Sequence, residues 1–353
     1  RNVISGNLGY GILVEAGETY SNQIAGNFIG SRSNGFTAVS NTLGGVRIES
    51  WGTLVGGLVT NARNVIAGNG GHGLLITGAE ASNTVVQNNY LGIMASGQAA
   101  SPNGGDGVRV AGGASATTIG SAGSGNLIGG NGQNGVFITG SSTRQARVTG
   151  NLIGTYADGT NGGGRNAHFG VRLSRTSDHI IGGTNAAEGN VICANQHGGI
   201  LVETGELVRI WGNRIGADRT GYGGLGNSSN GILLYAAAGA QVGAAGPYGG
   251  NQIADHDNAG AWILASTGSV VQGNLIGTAA DGLQNLGNAG PGLIISGVSN
   301  SVIANRIAWS KNSGADGVVI GLGSSFTPVL GNVIFSNGTF GALPVDLEDD
   351  GPT

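Results

Sequence analysis

Asn64-Val-Ile-Ala-Gly-Asn69, Gly73-Leu-Leu-Ile76, Thr84-Val-Val86 and Asn89-Tyr-Leu-Gly92 follow one another within the stretch 64–92, and that stretch recurs along the chain. The Asn-x-Ile-x-x-Asn element stands at Asn2, Asn64, Asn126 and Asn190, spaced 62, 62 and 64 residues apart. Each copy leads into a Gly-apolar-x-apolar run: Gly11-Ile-Leu-Val14, Gly73-Leu-Leu-Ile76, Gly135-Val-Phe-Ile138 and Gly199-Ile-Leu-Val202. A second element, Asn-x-Ile/Leu-Gly, stands at Asn27, Asn89, Asn151, Asn213 and Asn274, spaced 62, 62, 62 and 61 residues apart. With Asn251, Asn305 and Asn332 added, the two motifs interleave into about 12 turns of chain, alternately of about 25 and about 37 residues.

Alternation within each turn gives three short strands, in the quoted stretch Asn64-Val65-Ile66, Leu74-Leu75-Ile76 and Thr84-Val85-Val86. One turn of this size cannot bury its apolar face alone, so it must stack on the next at about 4.8 Å. The expected fold is all-β: a single-stranded parallel β-helix of about 12 coils with three short parallel sheets, roughly 55 Å long. It should occupy residues 1–344, with 345–353 as an acidic tail or linker.

The composition agrees. Of 353 residues 74 are glycine, against an ordinary usage of about 7%. With only 6 prolines and no Gly-X-Y period, collagen is excluded, and 39% hydrophobic against 10% charged residues excludes a disordered chain. Glycine at this level disfavours helices and supplies corners. The net charge is −4, and four of the 19 acidic residues are Asp346, Glu348, Asp349 and Asp350. The body is therefore neutral and carries no basic stripe for a phosphate backbone, so nucleic acid is not an expected partner. Cys193 alone cannot form an intrachain disulfide, and no apolar run is long enough to span a membrane. No signal peptide is readable; the chain opens in mid-pattern at Arg1, which suggests a mature product or an excised segment.

Two residues after each marker Asn stand Ile4, Ile29, Ile66, Leu91, Ile128, Ile153, Ile192, Ile215, Ile253, Ile276, Ile307 and Ile334, an aliphatic column that must point inward. By the two-residue period of a strand the marker Asn points inward too, where stacked amides can bond along the axis as an Asn ladder. These features resemble the right-handed parallel β-helix repeats of the pectate-lyase-like superfamily. Gly150-Asn-Leu-Ile-Gly-Thr155 and Gly273-Asn-Leu-Ile-Gly-Thr278, with Gly182-Gly183 and Asn190-Val-Ile192, look more closely like the repeats of large secreted or surface-attached bacterial proteins. Val345-Asp-Leu-Glu-Asp-Asp-Gly351 is similar to the acidic segment that follows such repeats. The resemblance implies the fold strongly and the function weakly, because such coils support lyases, hydrolases, epimerases, tailspikes and inert rods.

β-Helix enzymes acting on acidic polysaccharides gather carboxylates, Arg or Lys, and often Ca²⁺ on one outward face. Three places come into question for such chemistry. Asp178-His179 is the nearest match to a lyase Asp-His pair but occupies an ordinary strand of the repeat and lacks the accompanying Trp. Asp255-His256-Asp257 is the most concentrated titratable group, with His197 at the corner two turns earlier. The reading preferred for it is that His256 replaces the corner Asn seen at Asn7, Asn69, Asn131 and Asn195. Gly71-His72-Gly73 matches a polygalacturonase tripeptide by letters yet reads as a turn. No cofactor is favoured; Asp158 and Asp281, each before a loop glycine at a fixed offset, are the candidate calcium ligands. The other loops carry Asn34, Ser96 and Thr220 there.

The middle position of each second strand faces solvent, yet reads Leu13, Arg47, Leu75, Arg109, Phe137, Arg172, Leu201, Leu233, Trp262, Ile294, Val319 and Leu343. Either the long loops after Ile29, Leu91, Ile153, Ile215 and Ile276 fold over this column, or it is an interface for another chain or for glycan rings on Phe137 and Trp262. The N-terminal coil shows no cap, so more protein or another subunit is expected to cover it, while Pro344 and the acidic residues can end the stack. The expected protein is a non-enzymatic, extracellular or surface-displayed rod with a structural, fibre-forming or adhesive role. Its expected partners are copies of itself, further segments of the same protein, or a glycan. The alternatives are a polysaccharide lyase, hydrolase or epimerase and a glycan-binding module. Asn227-Ser-Ser229 and Asn337-Gly-Thr339 fit the glycosylation pattern.

Overall fold

The computed structural model describes residues 1–347 apart from positions 18 and 340; the acids Glu348, Asp349 and Asp350 lie outside the described residues. The chain is all-β, a right-handed parallel β-solenoid of about 11 turns, and it forms two compact units, Arg1–Ile180 and Ile181–Thr353. Among the described residues, twelve strands fall in each of the first two sheets and 11 in the third. No helix among the described residues is long and apolar enough to cross a membrane.

In the first unit, the first sheet stacks Val3–Ile4, Phe28–Ile29, Val65–Ile66, Tyr90–Leu91, Leu127–Ile128 and Leu152–Ile153, all parallel. The second stacks Tyr10–Val14, Gly44–Ile48, His72–Thr77, Val108–Ala111, Val136–Thr139 and Val171–Ser174. The third contains Gln23–Ile24, Leu54–Gly56, Val85–Gln87, Thr118–Ile119 and Arg147–Val148. The second unit repeats the plan, from Val191–Ile192 to Val333–Phe335 in its first sheet and from Ile200–Glu203 to Val345–Leu347 in its second. That last strand pairs with Val318–Ile320, so coil structure continues three residues into the acidic segment.

Register keeps like on like. Ile29, Ile66, Leu91, Ile128 and Ile153 are fully buried in the first unit, and Ile192, Ile215, Ile253, Ile276 and Ile307 in the second. The marker asparagines form the expected ladder. Through Asn2, Asn27, Asn64, Asn89 and Asn126, each Nδ2 donates to the next Oδ1, at 2.9 to 3.1 Å, the last bond reaching Asn151. The series from Asn190 to Asn332 repeats it at 2.8 to 3.0 Å. A second ladder runs beside it at the next corner: Asn7, Asn41, Asn69, Asn103, Asn131 and Asn166, at 2.8 to 3.0 Å. Such ladders satisfy buried turn donors and acceptors that no water reaches. Glycine is obligatory beside them: Gly92 has φ +80°, and an added Cβ would lie 2.2 Å from Gly129 O and 2.5 Å from Asn131 Oδ1.

The long loops close over the first sheet. Ala95 N donates to Gly35 O (3.2 Å) and Ala157 N to Gly97 O (2.9 Å), so each loop hangs on the previous one. Beneath them Phe28, Val65 and Ala67 pack with Tyr90 and Ala95. On the second sheet the outward positions Arg47, Leu75, Arg109, Phe137 and Arg172 are half-buried, and Leu13 is exposed.

Candidate binding face on the second sheet

In the first unit, backbone register places Leu13, Arg47, Leu75, Arg109, Phe137 and Arg172 one above another. Leu13 is exposed and the other five are half-buried. The Arg109 and Arg172 guanidinium carbons lie 4.8 and 5.0 Å from the Phe137 ring centroid. They belong to the coils on either side, so two cations sandwich the ring. That arrangement occupies the faces on which a sugar was expected to stack. Arg47 instead donates through Nε to Glu49 Oε1 at 2.7 Å.

His72 and Asp106 meet on this face, although His72 read as part of a turn. The irregular loop between Leu91 and Val108 hides their register in the sequence; in space Asp106 sits one coil above His72. The Asp106 carboxylate is fully buried. Its Oδ1 accepts from Asn134 N (3.0 Å) and Nδ2 (2.8 Å). Its Oδ2 makes no hydrogen bond, lying 3.3 Å from His72 Nδ1 and 3.5 Å from Arg109 Nη1. His72 Nδ1 accepts the Asp106 backbone N–H at 2.9 Å, which requires the ring's lone pair there. Burial lowers the His72 pKa, with Asp106 opposing and Arg109 reinforcing the shift, so a neutral ring is consistent with that bond. The result is a carboxylate with one unfilled acceptor beside an imidazole and a guanidinium.

In the second unit the column reads Leu201, Leu233, Trp262, Ile294, Val319 and Asp346. The last position corrects the sequence register. Leu343 precedes the strand, and its N–H donates to Asp316 Oδ1 at 2.6 Å; the pairing falls three residues further on, at Asp346. Leu201 and Val319 are buried, while Trp262 is half-buried.

The remaining titratable candidates are parts of the coil. His179 is fully buried: its Nδ1 accepts from Ala146 N (3.1 Å) and its Nε2 lies 2.6 Å from Thr176 Oγ1, which donates to Thr143 O. Burial pulls its pKa down to about 4. Adjacent Asp178 has φ 61°, a corner conformation. His256 takes the place of Asn in the second ladder. Its backbone N donates to Asn288 Oδ1 (3.1 Å), its Nδ1 accepts from Asn227 N (3.2 Å), and its Nε2 lies 3.1 Å from Ile215 O. Burial takes its pKa down to about 3. Both rings therefore use both nitrogens within the coil as neutral imidazoles. Asp255 binds Lys311 Nζ at 2.6 Å, and Asp257 and His197 are exposed.

The loop acids are turn acceptors. Asp158 Oδ1 accepts from Thr160 N (3.0 Å) and Asn161 N (3.1 Å), and Asp281 Oδ1 from Leu283 N (2.8 Å) and Gln284 N (3.0 Å). Those two bonds hold the Asp281 pKa below the ordinary carboxylate value. Asn34, Ser96 and Thr220 accept from the residue two positions on in the same way. Among the described residues no group of three His, Cys, Asp or Glu is placed to hold a metal. Asn227 of the first glycosylation pattern is buried in the second ladder.

No family model matches the chain, and no curated protein matches it. Solved structures do. The Dettilon tailspike protein gp208 is similar with TM-score 0.58 and 14% identity over 97% of this chain and 61% of that one, so the chain spans about three fifths of the tailspike. A point mutant of the periplasmic alginate epimerase AlgG is similar with TM-score 0.50 and 10% identity over 92% of this chain and 76% of that one. At these identities the likeness is one of fold.

Proposed function

We propose that the chain is a non-enzymatic, extracellular β-helical element with an adhesive role, and that it meets its partner through the outward column of the second sheet. The carrying observation is that the cluster beneath the loops is made of first-sheet and loop residues, while on the second sheet Leu75, Arg109, Phe137 and Arg172 stand half-buried in succession, two of them guanidinium groups about an aromatic ring. Guanidinium and aromatic groups side by side are enriched in protein interfaces. A rod bearing them supports contact with a further segment of the same protein or with a second copy. The ring nitrogens of His179 and His256 and the loop carboxylates serve the coil, which favours a scaffold over a catalyst. A surface role also fits the coil's likeness to a tailspike.

Leu75→Asp and Phe137→Asp place a carboxylate on the face without entering the core. Each is expected to abolish self-association or surface adhesion, read by sedimentation and by a binding assay on whole cells, while the thermal transition stays in place. Unchanged association and adhesion in both variants would remove the column from the account.

One observation favours a second reading, a polysaccharide-active enzyme: the unfilled Asp106 Oδ2 beside His72 and Arg109, a constellation suited to proton transfer. Asp106→Asn keeps an acceptor toward Asn134 and removes the charge. Turnover of a polysaccharide by the native protein that Asp106→Asn abolishes, with the fold intact, would establish the enzyme.

A further inference from the structure

Two exposed rings stand together at the turn following the second sheet in the first coils. Tyr20 and Trp51 occupy matching positions on successive coils, joined by a parallel bridge with Ser21 N donating to Trp51 O at 3.0 Å. They are 69% and 51% exposed, far more than a packed aromatic pair requires. Between them and the next coil is a hollow of about 330 Å³ completed by Glu80. Glu80 Oε2 accepts the Gly17 N–H at 3.0 Å, which fixes the carboxylate at the rim. A second hollow, of about 460 Å³, shares Glu80 and continues past Glu49 and Arg47. Gly78 leaves it open: no atom lies within 4 Å of where its Cβ would stand. The two recesses meet at Glu80, and their lining residues come from four coils, about 14 Å along the stack; we treat them as one groove.

We infer that this groove binds a neutral, hydroxyl-rich oligosaccharide. Two wide apolar faces with polar edges offer rigid contact area at low entropic cost, suited to the C–H face of a sugar ring. Glu80 and Glu49 can accept hydroxyl protons, and Arg47, already tied to Glu49, can donate to a sugar oxygen. Charge selects against acidic sugars, because the lining holds two carboxylates and one guanidinium. The length of the groove favours several linked rings over one. This site goes beyond the reading above and does not rest on Phe137 or Leu75.

The test is calorimetric titration of the full chain with neutral hexasaccharides of β-1,4-glucan, β-1,3-glucan, β-1,4-mannan, α-1,4-glucan and chitin. Hexagalacturonate and choline serve as acidic and cationic probes. At least one neutral hexasaccharide is expected to bind saturably. Trp51→Ala should weaken it about tenfold or more and Glu80→Gln by a smaller factor, with the melting transition unchanged. Phe137→Asp should leave this binding intact, which separates the groove from the adhesive column. The inference is overturned if none of the neutral sugars binds, if affinity survives both Trp51→Ala and Tyr20→Ala, or if hexagalacturonate or choline binds there in their place.

Discussion

Asn126→Ala is expected to destabilise the first unit by about 4 kcal/mol, more than the removal of most exposed polar side chains. Asn126 is 1% exposed. Its Oδ1 accepts from the N and Nδ2 of Asn89, both at 3.0 Å, and its Nδ2 donates to Val86 O at 2.8 Å and Asn151 Oδ1 at 2.9 Å. Alanine removes four hydrogen bonds and leaves their partners in place. Two of these are backbone groups that a coil cannot turn toward water. Each buried group left unpaired costs about 1–3 kcal/mol, and partial relaxation or an entering water recovers some of the sum. Asn34→Ala is the control, because Asn34 serves an exposed loop turn through Phe36 N and Thr37 N and should cost about 1 kcal/mol or less. Denaturant unfolding of the two variants measures the contrast. Equal, small losses would mean that the amide stack contributes nothing specific.

Acid is expected to weaken both units well above the carboxylate range. The His179 pKa is held at about 4 and that of His256 at about 3, below the ordinary value of about 6.5. The unfolded chain takes up these protons as pH falls below about 6.5, whereas the folded coil refuses them, so stability is complete above that pH and declines beneath it. Each ring contributes a slope of about 1.4 kcal/mol per pH unit, or about 3 kcal/mol by pH 4. His256→Asn restores the residue type of the second ladder and should remove the second unit's share of the slope, at small cost at pH 7. Unfolding free energies flat between pH 7 and pH 5, or a slope unaltered in His256→Asn, would contradict the buried neutral assignment.

The fold was legible because its two determinants are periodic in sequence. The marker asparagines recur near 62 residues, and an aliphatic residue always follows two positions on, so a strand's two-residue alternation places both inside. The second ladder was only half legible. Asn7, Asn69, Asn131 and Asn195 stand at a fixed offset from a marker, but Asn41, Asn103, Asn166 and Asn227 follow the long loops, whose lengths vary. The same loops hid the meeting of His72 with Asp106. Corner length also misplaced the final rung, where Asp346 and not Leu343 pairs with Val319.

Outward chemistry was less legible than inward chemistry. The alternating pattern identified the column from Leu13 to Arg172, yet could not tell whether the loops would cover this sheet or the first. It offered Phe137 as a stacking surface, whereas Arg109 and Arg172 occupy its faces. Tyr20, Trp51 and Glu80 lie in irregular turns, where no period predicts which side chains converge. Asp158 and Asp281 each accept two N–H groups of their own turn through Oδ1, bonding that Asn34 also performs without a charge, and these partners lie in loops that no period describes.

On this reading the chain holds a neutral glycan in the groove beside Tyr20 and Trp51 and does not transform it. Proton NMR of the native protein mixed with soluble neutral and uronate polysaccharides tests it most directly, since binding and chemistry leave different signatures in one spectrum. The account predicts broadened resonances of a bound neutral glycan and an unchanged set of sugar signals after prolonged incubation. New signals from unsaturated products, fresh reducing ends or an inverted ring carbon, lost in Asp106→Asn, would contradict it.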